Sequence, residues 1–179
     1  AGMSILYILF VIVGVFVLGA ISVALNAGFY RIMQKLDYDE QVITSDFFYF
    51  VKGKYLSKAF LIMLVSILIA IPAALLCYIP LIYAIVPLSY FGLFFAFNPE
   101  LSVGDIVKAS FKLGNKKWLL SFGLFVVSYL LVVILMFLTC GIGALFLSPF
   151  MYHPTYLIYK HVIGFDKNNV IEEIGTTSE

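Results

Sequence analysis

Residues 60–97 run without a single charged side chain. As one straight helix they would extend about 57 Å at roughly 1.5 Å per residue, almost twice the hydrocarbon thickness of a bilayer. The run must therefore fold back on itself. The place is Cys77-Tyr78-Ile79-Pro80, near its midpoint, because Pro80 lacks a backbone donor and drives the residue before it out of the helical region. The same chemistry recurs over residues 118–159, again uncharged and broken near the middle at Thr139-Cys140-Gly141-Ile142-Gly143. Each stretch reads as a membrane hairpin.

Composition supports that reading. Of 179 residues 63% are hydrophobic and only 12% charged, and mean hydropathy is +1.08. A soluble domain is nearer half apolar and a quarter charged, so this chain cannot supply a polar skin. A net charge of +1 gives no basic field for nucleic acid. All Lys, Arg, Asp and Glu fall within residues 31–58, 100–117 and 160–179, which must then share one side of the membrane. The expected fold class is all-α: a polytopic helical membrane protein of about five transmembrane helices, with interfacial amphipathic helices and a parallel internal repeat of hairpins.

In order, the spans are residues 4–28, 57–78, 80–97, 117–140 and 142–159. The first has no positive region before it and is read as a retained span. It carries Ala20, Ala24 and Gly28 on one face, and the second carries Ser66, Ala70 and Ala74. Such small-residue ridges allow close helix approach in lipid. Pro72 lies inside the second span, tolerable where a neighbour satisfies the freed carbonyl. Residues 29–58 are aromatic and charged, and Thr44 or Ser45 is placed to cap a short interfacial helix with Asp46 in its first turn. Ser102-Val103-Gly104-Asp105 has the form of a capping box and opens a helix bearing Lys108, Lys112 and Lys116 at spacing four. Together with Lys52, Lys54, Lys58 and Lys117, these lysines are read as contacts to lipid headgroups.

A repeat is visible. Asp46 precedes Lys58, and Asp105 precedes Lys117, by the same interval; Pro87-Leu88-Ser89-Tyr90 then answers Pro149-Phe150-Met151-Tyr152. The units are residues 29–97 and 98–165, each an amphipathic helix followed by a hairpin, with a polar tail at 166–179 that is expected to fray. Residues 1–28 look like the second half of a further unit whose beginning is absent.

Ile79-Pro80-Leu81-Ile82-Tyr83 with Val86-Pro87-Leu88, the lysine helix ending at Trp118 and the Pro149 span ending at Tyr159-Lys160 resemble a group of uncharacterised bacterial integral membrane proteins. Their nearest named relative is the membrane domain attached to some glycerophosphoryl diester phosphodiesterases. No catalytic residue carries over, since that activity belongs to a separate soluble domain. The resemblance and the lysine and arginine excess imply a multi-pass protein of the bacterial cytoplasmic (inner) membrane, with the charged loops and C-terminus cytoplasmic.

Function is less constrained. There is no glycine-elbow serine, paired-histidine helix, phosphate loop or CxxC, so no enzyme, cofactor or metal site is expected. The expected partners are membrane lipids, with a membrane protein partner or a homo-oligomer. The first expectation is a non-enzymatic protein that packs with, scaffolds or assists a membrane partner. The alternative is a passive transporter or lipid-handling protein using a cavity between the repeats, because proline-broken helices expose backbone only where it lines a protected space. His153, about 10 Å from the charged edge by helical rise, is the leading binding candidate, with Tyr152, Ser148 and Tyr90 beside it. It is expected to face the bundle interior, neutral at pH 7 through desolvation.

Cys77 and Cys140 sit at the two hairpin turns, in near-equivalent places. They are read as two small buried thiols, with a disulfide as the alternative. Alkylation without prior reduction should label both; a mass shift only after reduction would establish the bond.

Overall fold

The computed structural model describes residues 2–76, 78–139, 143 and 148–165, with side chains throughout except at 2–4, 148 and 149. Cys77, Cys140 and the tail at 166–179 lie outside the described residues. Every regular element among those described is helical. In chain order they are α1 (Gly2–Asp37), α2 (Thr44–Phe47), a 3-10 turn (Tyr49–Val51), α3 (Gly53–Leu75), α4 (Ile79–Ser89) and α5 (Phe91–Phe97). Then come α6 (Val103–Lys116), α7 (Trp118–Leu138), a 3-10 turn (Ser148–Tyr152) and α8 (His153–Val162). The chain is a helical membrane protein: among the described residues four segments are long and apolar enough to cross a bilayer, namely Ile5–Asp37, Gly53–Leu75, Ile79–Phe97 and Trp118–Leu138. The expected fifth span at 142–159 is described only in part, its second half being the 3-10 turn and α8.

The boundary drawn at residue 28 falls inside α1. No Gly or Pro occurs between Phe29 and Asp37, so the helix continues through Arg31 and Lys35. It stops where Asp39 takes a left-handed conformation, φ 54°. There the Glu40 N–H donates to the Lys35 carbonyl (2.9 Å) and the Asp39 N–H to the Leu36 carbonyl (3.3 Å), a Schellman ending with Asp in the position usually held by Gly.

Neither Thr44 nor Ser45 caps the next helix. The N-cap is Ile43, and the buried Asp46 carboxylate accepts the Ile43 N–H at 3.1 Å. The same carboxylate accepts from Lys35 Nζ at 2.9 Å and lies 3.7 Å from Arg31 Nε, while the Arg31 guanidinium sits 4.1 Å over the Tyr49 ring. The Lys35 ammonium, followed by the Ile43 N–H, holds the Asp46 carboxyl below the usual carboxylate range. These contacts close a tight elbow at the foot of α1. The elbow needs a glycine: a Cβ on Gly28 would come 2.2 Å from the Phe47 carbonyl oxygen. Residues 29–97 and 98–165, expected to be repeats of one unit, open differently, the first with a four-residue helix and a 3-10 turn, the second with the 14-residue α6.

In α6 the expected cap is present, the Asp105 N–H donating to Ser102 Oγ at 3.2 Å. Ile106, Ala109, Leu113 and Gly114 are buried, and this face packs on α4 and α5. A Cβ on Gly114 would lie 2.9 Å from Pro87 Cα. Pro87 removes the N–H that would serve the Tyr83 carbonyl four residues earlier. The Trp118 indole N–H donates to that carbonyl instead, at 3.1 Å, and its ring stacks on Tyr83. Ser89 Oγ donates to the Val86 carbonyl at 2.7 Å, and the span bends at Tyr90 between α4 and α5.

The core sits at the charged end. Buried Phe50, Phe94, Phe95 and Tyr159 pack there, with Phe50 and Phe95 ring centres 4.9 Å apart and Phe94 and Tyr159 5.1 Å apart. The three charged segments meet around it, through Lys54 and Glu100 at 3.5 Å and through Lys160 on Asp37. Both expected ridges turn inward, Ala20, Ala24 and Gly28 fully and Ser66, Ala70 and Ala74 by half. Away from this end the N-terminal part of α1 and most of α7 expose apolar side chains, as lipid-facing helices do.

Two measurements check the elbow. Gly28→Ala should destabilise by about 1–3 kcal/mol through overpacking, whereas Gly14→Ala, with nothing within 4 Å, should be neutral in detergent thermal unfolding. Because Asp46 has a lowered folded-state pKa, its contribution is present above the unfolded value of about 3.9 and is lost as pH falls through the folded value. Thermal stability should fall below about pH 4, and Asp46→Asn should flatten that part of the profile.

Candidate functional site

The amide of Asn26 sits on α1 one turn before Tyr30, so both side chains share a face. That face meets Ser66 of α3, Ser89 at the end of α4, Gly92 of α5, and Tyr152 and Thr155 around the start of α8. Together they frame a central cavity of about 370 Å³, to which every candidate span and α8 contribute, with Phe125 of α7 closing one wall. Gly92 keeps it open: a Cβ there would touch Tyr30 Cε2 at 3.9 Å and Asn26 Cγ at 4.0 Å, so a larger side chain would fill the space.

The hydroxyls of the wall are already directed. Ser66 Oγ donates to the Ile62 carbonyl (2.8 Å), Ser89 Oγ to the Val86 carbonyl (2.7 Å) and Thr155 Oγ1 to the Tyr152 carbonyl (3.3 Å). Tyr30 donates to Thr155 Oγ1 at 3.4 Å. Asn26 Oδ1 is buried without a hydrogen-bond partner among the described residues. An unmet polar atom inside a membrane bundle is costly, and a bound molecule with a donor group would relieve it.

The sequence candidates are dispersed. Tyr152 reaches the cavity, its ring edge-on to Tyr30 at 6.0 Å and to Phe29 at 5.7 Å. Tyr90 does not: it is fully buried, its hydroxyl 2.8 Å from Ser121 Oγ, which in turn donates to the Lys117 carbonyl at 2.9 Å. Ser148 opens the 3-10 turn, and its side chain lies outside the described residues. His153 faces outward and not into the bundle, because it lies on the face of α8 that it shares with exposed Leu157 and His161, away from buried Thr155 and Tyr159. It borders two further hollows, one with Asp37 and Phe29 on α1, the other with Ser128 on α7.

The lysines divide as well. Lys58 is turned inward, donating to the Leu101 carbonyl at 2.7 Å and to that of Pro99, so it ties α3 to the loop before α6 and not to a headgroup. Lys54 pairs with Glu100, and Lys52 lies 6.0 Å from the Tyr49 ring centre. Lys108 and Lys116 are exposed on α6, and Lys112 and Lys117 are half-buried.

Asn26 and Gly92 were not singled out by sequence. The signal was present for Asn26, the one amide in the apolar stretch at 4–28. Comparison of the chain with protein-family models, with curated proteins and with solved structures finds no match.

His153→Ala should shift stability by no more than about 0.5 kcal/mol, as at an outward position. Tyr90→Phe, which removes a buried hydrogen bond, should cost about 0.5–1.5 kcal/mol in the same unfolding assay.

Proposed function

We propose that this is a non-enzymatic, lipid-handling membrane protein that holds part of an amphiphilic molecule in its central cavity. The observation that carries the reading is the cavity itself. Its volume of about 370 Å³ lies in the range of small-molecule sites, and its wall is apolar with a few converging polar groups. The proline-broken third span borders it through Ser89 and Gly92, the partly described fifth through Tyr152 and Thr155. Irregular backbone in a bilayer is tolerated where it faces such a protected space. We place the protein in the cytoplasmic membrane of a bacterium, with the clustered charged end inside, on the lysine and arginine excess there.

A second reading, that the protein packs with or assists a membrane partner, draws on residues 5–18 of α1. Their large apolar side chains are exposed beyond the packed end of the bundle. Lipid covers such a surface as well as protein does, so the cavity ranks first.

Lipid extraction from protein purified in mild detergent, followed by mass spectrometry, tests the reading. Wild type should retain a stoichiometric lipid, and Gly92→Leu should lose most of it while remaining folded. Equal retention by both proteins would exclude the cavity as the site. A protein that carries no lipid but copurifies with a defined partner would favour the second reading.

A further inference from the structure

Resting on the reading of the cavity as a lipid site, we infer that its occupant is an uncharged amphiphile with a free hydroxyl, such as a diacylglycerol, monoacylglycerol or long-chain alcohol. The wall is polar at a few points and uncharged. Ser66, Ser89 and Thr155 each give their proton to a backbone carbonyl, and Tyr30 gives its proton to Thr155. What these hydroxyls still offer is oxygen lone pairs; Asn26 adds its Oδ1 acceptor, unpartnered among the described residues, beside the two N–H donors of its Nδ2, and Tyr152 adds a phenol. A ligand that satisfies Asn26 Oδ1 must bring a donor.

Charge is excluded by the same inventory. Among the described residues, no side chain lining the cavity is Asp, Glu, Lys or Arg. The nearest cation along the chain, Arg31, is turned to Asp46 and Tyr49 at the elbow. A phosphate or carboxylate would leave water for a wall without a cation, and an ammonium would enter without a counter-charge. A hydroxyl donates to Asn26 at no such cost, and the acyl chain covers the apolar wall formed by residues such as Ile85, Leu88 and Phe91.

Photoactivatable lipids with identical chains test this in nanodiscs: diacylglycerol, the same diacylglycerol acetylated at its hydroxyl, phosphatidic acid and the free fatty acid. Diacylglycerol should crosslink to wild type about tenfold more than the acetylated form, the size of a lost buried hydrogen bond. Asn26→Leu should remove that preference, the two lipids then crosslinking to the same extent. Equal or stronger capture of phosphatidic acid or fatty acid, abolished by Gly92→Leu, would overturn the inference and leave the cavity reading in place. Capture of no probe above the level in Gly92→Leu would overturn both. The free and acetylated lipids are compared on wild type, so the result decides even where Asn26→Leu does not fold.

Discussion

A proline in a membrane span leaves a carbonyl that lipid cannot satisfy, and here that debt falls on Tyr83. Pro87 removes the donor, and the indole N–H of Trp118, the only tryptophan in the chain, replaces it from the neighbouring helix at 3.1 Å. Much of the bundle follows from this contact. It fixes the start of α7 against α4, the Trp118 ring stacks on both Tyr83 and Phe122, and Gly114 of α6 closes on Pro87 from the other side. The third span is interrupted at Tyr90, and the flanking Ser89 and Gly92 line the central cavity.

The charged end carries the dense packing of the fold. Aromatic rings from the 3-10 turn at Tyr49–Val51, α5 and α8 interlock there, Asn98 Nδ2 donates to the Tyr159 hydroxyl at 2.8 Å, and Asp37 accepts from Tyr156 and Lys160. The cavity begins where this packing ends. Its polar groups are few, and the hydroxyls of Ser66, Ser89 and Thr155 have their protons directed to backbone, which leaves their lone pairs and the Asn26 amide to meet a ligand.

What the sequence made legible is what local chemistry decides. The turn before Pro80, the helix end at Leu138, the Ser102 cap and the inward ridge at Ala20, Ala24 and Gly28 each depend on residues within a turn or two of one another. What escaped depends on distance. The run of α1 to Asp37 was masked by its charges, which looked like a boundary until Asp46 was found to pair with Lys35 and lie beside Arg31. His153 drew attention as the lone ionisable side chain in an apolar stretch, but the phase of α8 is set by Thr155, Tyr156 and Tyr159 packing inward, and that phase turns His153 out. Asn26 was hidden by the reverse effect: an uncharged amide is quiet by composition and becomes conspicuous only when its oxygen is seen to be buried alone.

The dependence of the bundle on the Tyr83 carbonyl is open to a double-mutant cycle in detergent thermal unfolding. Trp118→Phe keeps the ring and removes the donor, so it should cost about 1–3 kcal/mol in the wild-type background. Pro87→Ala restores the missing backbone N–H, and in that background the same Trp118→Phe change should be close to neutral. Equal costs in both backgrounds would contradict the role assigned to Trp118.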